Sequence, residues 1–193
     1  MQLTTRRFVL RDFVADDLAA FEAYHADPRS SELYGPDEDN PRLAAELVEL
    51  FMAWAVEEPR LNYQLAVVRR DGPLIGCGGL RMRDAGPGSA ELGVELAPAY
   101  WGSYGYATEI MKCLVDFGFD HLGLSRIFGT TVSANARIAR LVSAFGAVSA
   151  ERSTPAWMVA KGWRQIEWHI DRDQWLAGPS NHSLKPKPLR AQA

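Results

Sequence analysis

The sequence predicts a mixed α+β domain in which an antiparallel strand meander is followed by a parallel crossover unit and a late pair of strands. Three observations predict it. Apolar residues alternate through Asn62–Arg69, Leu74–Arg83 and Ala90–Leu96, with turn signals between the runs. A helical pattern, Ile110 to Phe119, then separates Ala90–Leu96 from the next apolar run, Ser125–Val132, and strand–helix–strand in that order is a parallel crossover. Residues 147–152 and 163–170 read as a closing pair of strands.

Each element has its own warrant. Arg7 to Phe13 alternates enough for a first strand. Asp16-Asp17 offers a helix cap ahead of Leu18, Phe21 and Tyr24, spaced by three, and Asp27-Pro28 ends that helix. Gly35-Pro36 and residues 37–40 read as a polar loop. Pro41 at a helix start suits Leu43, Leu47, Leu50, Phe51 and Trp54, which share one helical face. Asp71-Gly72 is a tight turn between the first two strands of the meander. Gly76, Gly78 and Gly79 in its second strand predict a bulge or a close backbone approach. Asn135 opens a helix that runs to Phe145-Gly146. Beyond Trp175 the composition turns to Pro, Lys, Ser and Gly, so residues 1–175 are the expected domain and 176–193 a mobile tail.

Composition excludes several function classes. A chain of 193 residues with 47% hydrophobic and 23% charged content is one ordinary globular domain, large enough to bury a core. A net charge of −3 gives no electrostatic grip on nucleic acid or on anionic membrane. No apolar run approaches the roughly 20 residues that span a bilayer, and no signal-peptide core follows Met1, so a cytoplasmic location is expected. The two cysteines, Cys77 and Cys113, have no metal-ligand spacing and no histidine adjacent in sequence, and read as structural thiols. His25 and His121 sit near helix ends, His169 in the last strand and His182 in the tail; no metal is expected. Of the tryptophans most read as core, with Trp157 placed to line a mouth.

The chemistry centres on Tyr100-Trp101-Gly102-Ser103-Tyr104-Gly105-Tyr106-Ala107-Thr108-Glu109, between a strand and a helix. Glycines at such a turn open backbone angles closed to other residues and let a ligand approach the main chain. The first amides of the helix have no intrahelical partner, and the helix dipole is positive there. A phosphate or diphosphate fits that geometry. A plain chain reversal would need no more than the same glycines. The spacing excludes a dinucleotide fold, because the glycine turn comes mid-chain after a meander and lacks the acidic residue that should follow.

This string resembles the coenzyme A diphosphate loop of the GNAT N-acetyltransferases, and within them the RimJ/RimL-like branch, which reads Tyr-Trp-Gly-Lys-Gly-Tyr-Ala-Thr-Glu. Here two residues, Ser103 and Tyr104, stand between the glycines, so the loop is one residue longer and lacks the basic residue. A second stretch, Asn135 to Gly146, is similar to the branch pattern Asn-x-x-Ser-x-x-Leu-x-Glu-Lys-x-Gly-Phe at Asn135, Leu141 and Gly146, with Ile138 where the branch has Ser and Ala147 for the closing Phe. The resemblance covers roughly residues 3 to 175. It implies the GNAT fold: a six- to seven-stranded sheet splayed between strands 4 and 5, with helices on both faces. It also implies that acetyl-CoA is held by Leu96, Trp101, Gly102, Ser103, Tyr104, Gly105, Tyr106, Ala107, Thr108 and Asn135, and that the two early helices wall the acceptor side.

Acetyl transfer to an amine needs a base for the amine proton and a donor for the developing oxyanion. Period-2 geometry puts Leu92, Val94 and Leu96 on one strand face and Glu91, Gly93 and Glu95 on the other. The two carboxylates stand roughly 13 Å apart, too far for a dyad, so each would act alone. A solvated face explains them equally well from the strand alone; the Ala-Glu-Leu-Gly string, similar to the branch, favours Glu91 as base with Glu95 in reserve. Many GNAT enzymes carry a tyrosine general acid where this chain has Val142, leaving Ser143 or Tyr104 as substitutes. The expected function is transfer of acetyl from acetyl-CoA to a primary amine (a protein or peptide N-terminus or a small molecule) by direct attack in a ternary complex. A catalytically weak coenzyme-binding sensor or interaction domain is the alternative, motivated by Ile138 and Val142. The expected partner is the amine acceptor, and a homodimer follows from the branch by analogy.

Overall fold

A computed structural model gives the architecture; it describes residues 1–30, 32–33, 35, 40, 42–102 and 105–178. Eight strands form one sheet: β1 (Gln2–Thr4), β2 (Phe8–Asp12), β3 (Asn62–Arg69), β4 (Leu74–Arg81), β5 (Ser89–Leu96), β6 (Arg126–Val132), β7 (Val148–Arg152) and β8 (Gln165–Asp171). Their order is β1-β2-β3-β4-β5-β6-β8-β7. All pairs are antiparallel except β5 with β6, which are joined by the crossover helix α3 (Tyr106–Asp120). The sheet thus has one strand more than the upper expectation. The addition is β1, whose three residues pair Leu3 with Leu10 and are too short to show alternation.

Helices cover both faces, as expected, because β3 and β4 are apolar on both sides. Leu65 and Val67 of β3 join Leu80, Leu92, Leu96 and the buried face of α3 (Ile110, Met111, Leu114, Val115) in one core. Ala66 and Cys77 face the opposite way, into a second core with Phe13, Phe21, Tyr24, Ala44, Val48 and Phe51. That second core is built by α1 (Leu18–His25) and α2 (Leu43–Ala55). Each fully buried Leu, Ile or Phe contributes about 1.5–3 kcal/mol relative to exposure. Pro41, expected to start α2, lies outside the described residues.

The glycines of β4 do what their spacing predicted. A Cβ on Gly76 would stand 2.1 Å from the Glu95 carbonyl oxygen, and one on Gly79 would stand 2.0 Å from that of Tyr63. The β3–β4 register also shifts between Val67 and Val68, a bulge. After β6 come α4 (Ala136–Ala144), α5 (Ala156–Ala160) and α6 (Arg172–Ala177). The last two are too short for helical periodicity to declare itself. Trp175 of α6 stacks on Phe145 at 5.5 Å and donates to Asp116 Oδ1 at 3.1 Å, so the helix docks and continues two residues past the expected domain boundary. Residues 179–193, most of the expected tail, lie outside the described residues, as does His182. Among the described tryptophans Trp168 (3% exposed) is fully in the core, Trp54, Trp101 and Trp175 pack half-buried against the cores, and Trp157 lines the cleft described below.

Candidate active site

The sheet opens where β5 and β6 part. Their parallel register runs Ser89–Arg126, Ala90–Ile127, Glu91–Phe128 and then stops. Gly129 sits at the fork: a Cβ there would lie 2.9 Å from the Leu92 carbonyl oxygen and 2.5 Å from the Trp168 ring. Beyond it, Leu92 to Leu96 pair only with β4 on one side. This is the expected splay, moved one place in the count by β1. The direction of each main-chain group follows from neighbouring atoms. Glu95 O points at Gly76 and Gly93 O lies near Gly78, both of β4. Leu92 O faces Gly129 of β6, and Leu96 O accepts the Trp101 indole Nε1–H at 2.6 Å. By strand alternation the N–H and C=O of Val94 also face the gap. The arrangement puts Leu92 at the fork, Val94 midway and Leu96 at the mouth, its carbonyl already engaged. Sequence reasoning singled out Leu96; the alternation that marks Val94 and Leu92 was present in the same string.

A cleft of about 1020 Å³ runs from this gap to the start of α3, lined by Leu92–Leu96, Trp101, Gly102 and Gly105–Thr108. Gly105 is the N-cap of α3 at φ 73°, and Gly102 has φ 70°, the left-handed region that L side chains avoid. A Cβ on either would meet no described atom within 4 Å, so the space in front of both is open. The amides of Tyr106, Ala107 and Thr108 open the helix and therefore lack intrahelical acceptors. The Trp101 amide does not join them, since it bonds Pro98 O at 3.3 Å; Trp101 offers its ring. Ser103 and Tyr104 lie outside the described residues.

One clamp on this turn escaped the sequence reading. Arg7 donates through Nη2 to Gly105 O at 3.2 Å and through Nε to Glu109 Oε2 at 2.6 Å, while its amide donates to Glu109 Oε1 at 2.9 Å. Its guanidinium also lies 4.6 Å from the Tyr106 ring centroid. Burial works against the Glu109 charge, but the hydrogen bonds from Thr5 and Arg7 hold its carboxyl below the ordinary value. Nothing local in the sequence signals a contact between residues 102 apart.

The far wall is α4. Asn135 caps it, its Oδ1 accepting from the Ile138 amide at 3.2 Å, and Asn135, Ile138, Leu141 and Val142 all line the cleft. The positions that usually supply a hydroxyl are thus apolar surface. Ser143, one of the two expected substitutes, is exposed and is not part of the lining; Tyr104, the other, lies outside the described residues.

At the other end of the cleft Glu91 and Glu95 both face inward, on the strand face opposite Leu92 and Leu96. Glu91 is engaged by Arg81 Nη2 at 3.1 Å and Thr130 Oγ1 at 3.4 Å. Arg81 is its cross-strand partner on β4 and reaches over Gly93, where a Cβ would stand 3.2 Å from Nη1. Glu95 Oε1 is 3.6 Å from His25 Nε2, and burial pushes the His25 imidazole pKa down, toward the neutral form. Arg29, Ser30, Leu33, Gly35 and Trp157 complete this end. The walls here come from the α1–α2 connection and α5; no described residue of α1 or α2 lines the cleft, which corrects the expectation that the helices themselves do so. Cys77 lies at the floor, its thiol pushed up to about 12 by burial and then by Glu95, and burial pushes Cys113 up to about 11. Raised thiols of this kind carry little thiolate at neutral pH. Among the described residues no group of His, Cys, Asp and Glu could hold a metal ion.

A sheet parted beside a helix N-terminus, with an inward carboxylate at the fork, leaves one continuous cleft between a strand edge and a helix start. Comparison with known proteins supplies the family. Residues 7–148 match the acetyltransferase (GNAT) domain model. An uncharacterized N-acetyltransferase of Bacillus subtilis, YoaA, is 30% identical over 146 residues, 75% of this chain and 81% of that protein. An acetyl coenzyme A-N(2)-transacetylase of Aspergillus fumigatus is 29% identical over 45% of this chain and 37% of its own length. Among solved structures, a GNAT acetyltransferase from Bacillus anthracis superposes with TM-score 0.74 at 20% identity, covering 90% of this chain and 99% of that one. A Vibrio cholerae spermidine N-acetyltransferase, solved with CoA and spermine, gives 0.70 at 19% identity over 89% of this chain and 99% of that one. The chain belongs to the GNAT N-acetyltransferase family.

Proposed function

We propose that the protein moves the acetyl group of acetyl-CoA to a primary amine by direct attack within a ternary complex, in the manner of the RimJ/RimL-like branch. The supporting observation is the alignment of two features. The unpaired edge of β5 beyond Glu91 leads straight to the open N-terminus of α3. Diphosphate suits the amides of Tyr106 to Thr108 and the glycine carbons on either side of the loop. The pantetheine arm takes the place of a missing strand against Val94, and the Asn135 Nδ2 is available to it because Oδ1 is committed to the cap.

From the mouth at Leu96 the strand rises about 3.3 Å per residue, so the thioester end falls near the fork, beside Glu91. Glu91 accepts the amine proton as Arg81 and Thr130 orient its carboxylate, and Glu95 stands in reserve. An amide of the open edge, Leu92 or Val94, donates to the carbonyl oxygen as it gains charge. With Ile138 and Val142 apolar, the coenzyme departs as thiolate, its ordinary pKa being only about 8.5. The acceptor end combines carboxylates, Arg29 and Trp157, which suits an amine presented on a peptide or a small molecule. The same reading places the enzyme in the cytoplasm, with both cysteines free, and allows the homodimer common in the branch.

Calorimetric titration with acetyl-CoA, followed by a mass-shift screen of peptide N-termini, amino acids and polyamines, tests the reading. Saturable binding and an acetylated product are expected. No binding would overturn it; binding with no product or released thiol across the panel would leave a coenzyme-binding domain and no transferase.

A further inference from the structure

The glycine turn, residues 100–108, carries no basic residue. A cation is nevertheless present at that end of the cleft, supplied from the opposite wall. Arg137, two residues past the Asn135 cap, projects from α4 so that its Cζ lies 3.9 Å from the Trp101 ring centroid. Trp101 adjoins Gly102 and is itself fixed by its indole bond to Leu96 O at 2.6 Å. The cation therefore bridges the gap from α4 to the glycine turn, at the mouth through which a coenzyme enters.

Among the described residues its charge meets no carboxylate, and neither does that of Arg140 on the same helix, whereas other arginines are paired. Arg7, Arg11, Arg60, Arg81, Arg126 and Arg152 each hold a carboxylate within 4 Å. No described carboxylate pairs with Arg137, and α4 itself carries no acid. An exposed guanidinium on an aromatic face is held only weakly. A phosphate offers it bidentate, charge-assisted hydrogen bonds worth more than that. The ring is thus a resting place and the phosphate a better partner.

We propose that Arg137 is a phosphate ligand of the coenzyme, held on Trp101 in the free protein and supplying a positive charge that the glycine turn itself lacks. The inference rests on the acetyl-CoA reading above. The ligand chemistry is a phosphate ester, and coenzyme A offers two sources: the diphosphate and the 3′-phosphate.

The test titrates wild type, Arg137→Met and Arg137→Lys with acetyl-CoA and with 3′-dephospho-acetyl-CoA, following heat and tryptophan fluorescence. Arg137→Met keeps the stem over Trp101 and removes the charge; an unchanged thermal midpoint establishes that it folds. The expected result is about a 10-fold loss of acetyl-CoA affinity in Arg137→Met, partly restored in Arg137→Lys, with a weaker dependence on salt. Loss confined to acetyl-CoA assigns the 3′-phosphate, whereas equal loss with both ligands assigns the diphosphate. Wild-type affinity and salt dependence in a folded Arg137→Met would overturn the assignment while leaving the coenzyme reading intact. Failure of wild type to bind either ligand would overturn both.

Discussion

Replacing Gly105 by valine perturbs the turn in a way the structure makes calculable. Gly105 has φ 73°, and a Cβ would meet nothing described within 4 Å, so no described atom opposes the branch carbon. The left-handed backbone costs about 1–2 kcal/mol of folding stability, more for a β-branched residue than for alanine. For a domain of this size each kcal/mol lowers the thermal midpoint by about 2–4 °C, giving a drop of roughly 2–8 °C. Coenzyme affinity should suffer more, because the added methyls enter the space before the α3 amides and hold off the diphosphate. Loss of two charge-assisted bonds at about 1.5–3 kcal/mol each corresponds to a loss of roughly 100-fold or more. Differential scanning fluorimetry reads the first effect and calorimetric titration with acetyl-CoA the second; Gly105→Ala should fall between. A valine variant that melts several degrees lower yet binds acetyl-CoA as wild type does would refute the assignment of this turn to the diphosphate.

Two further outcomes follow from the fork of the sheet. Glu91→Gln should cut turnover at neutral pH by about 10²- to 10⁴-fold, the usual range for a general base, and leave acetyl-CoA affinity unchanged; full activity would transfer the role to Glu95 or to water. Gly129→Ala should cost about 1–3 kcal/mol by overpacking against the Trp168 ring, where the new methyl would lie 2.5 Å from a ring carbon. A chemical denaturation midpoint equal to wild type would show that Trp168 yields more easily than its burial implies.

Much of the fold could be read from residues because its long elements obey one period each. The alternation of Tyr63, Leu65 and Val67 and the helical face of Ile110, Leu114 and Phe117 are each sustained over several repeats. What escaped has a physical reason: β1, α5 and α6 are three, five and six residues long, too short for a period to emerge. At the site, the glycine turn and the Asn135 cap were legible because both are local backbone devices. Arg81 was within reach, since hairpin register alone sets it opposite Glu91. Arg7 and Arg137 were not. Their partners, Gly105 and Trp101, come from elements that meet only after the sheet has closed, and an arginine's surroundings leave no mark on its neighbours in sequence.

The Arg7 clamp on the Gly105 carbonyl ties ligand recognition to completion of the fold. In a strand–helix–strand fragment spanning β5 to β6 the helix start would lack the grip supplied by Arg7. Competence to bind is consequently a property of the finished molecule, and a lesion at the amino end, far along the chain from the cradle, should be felt there before the core loosens.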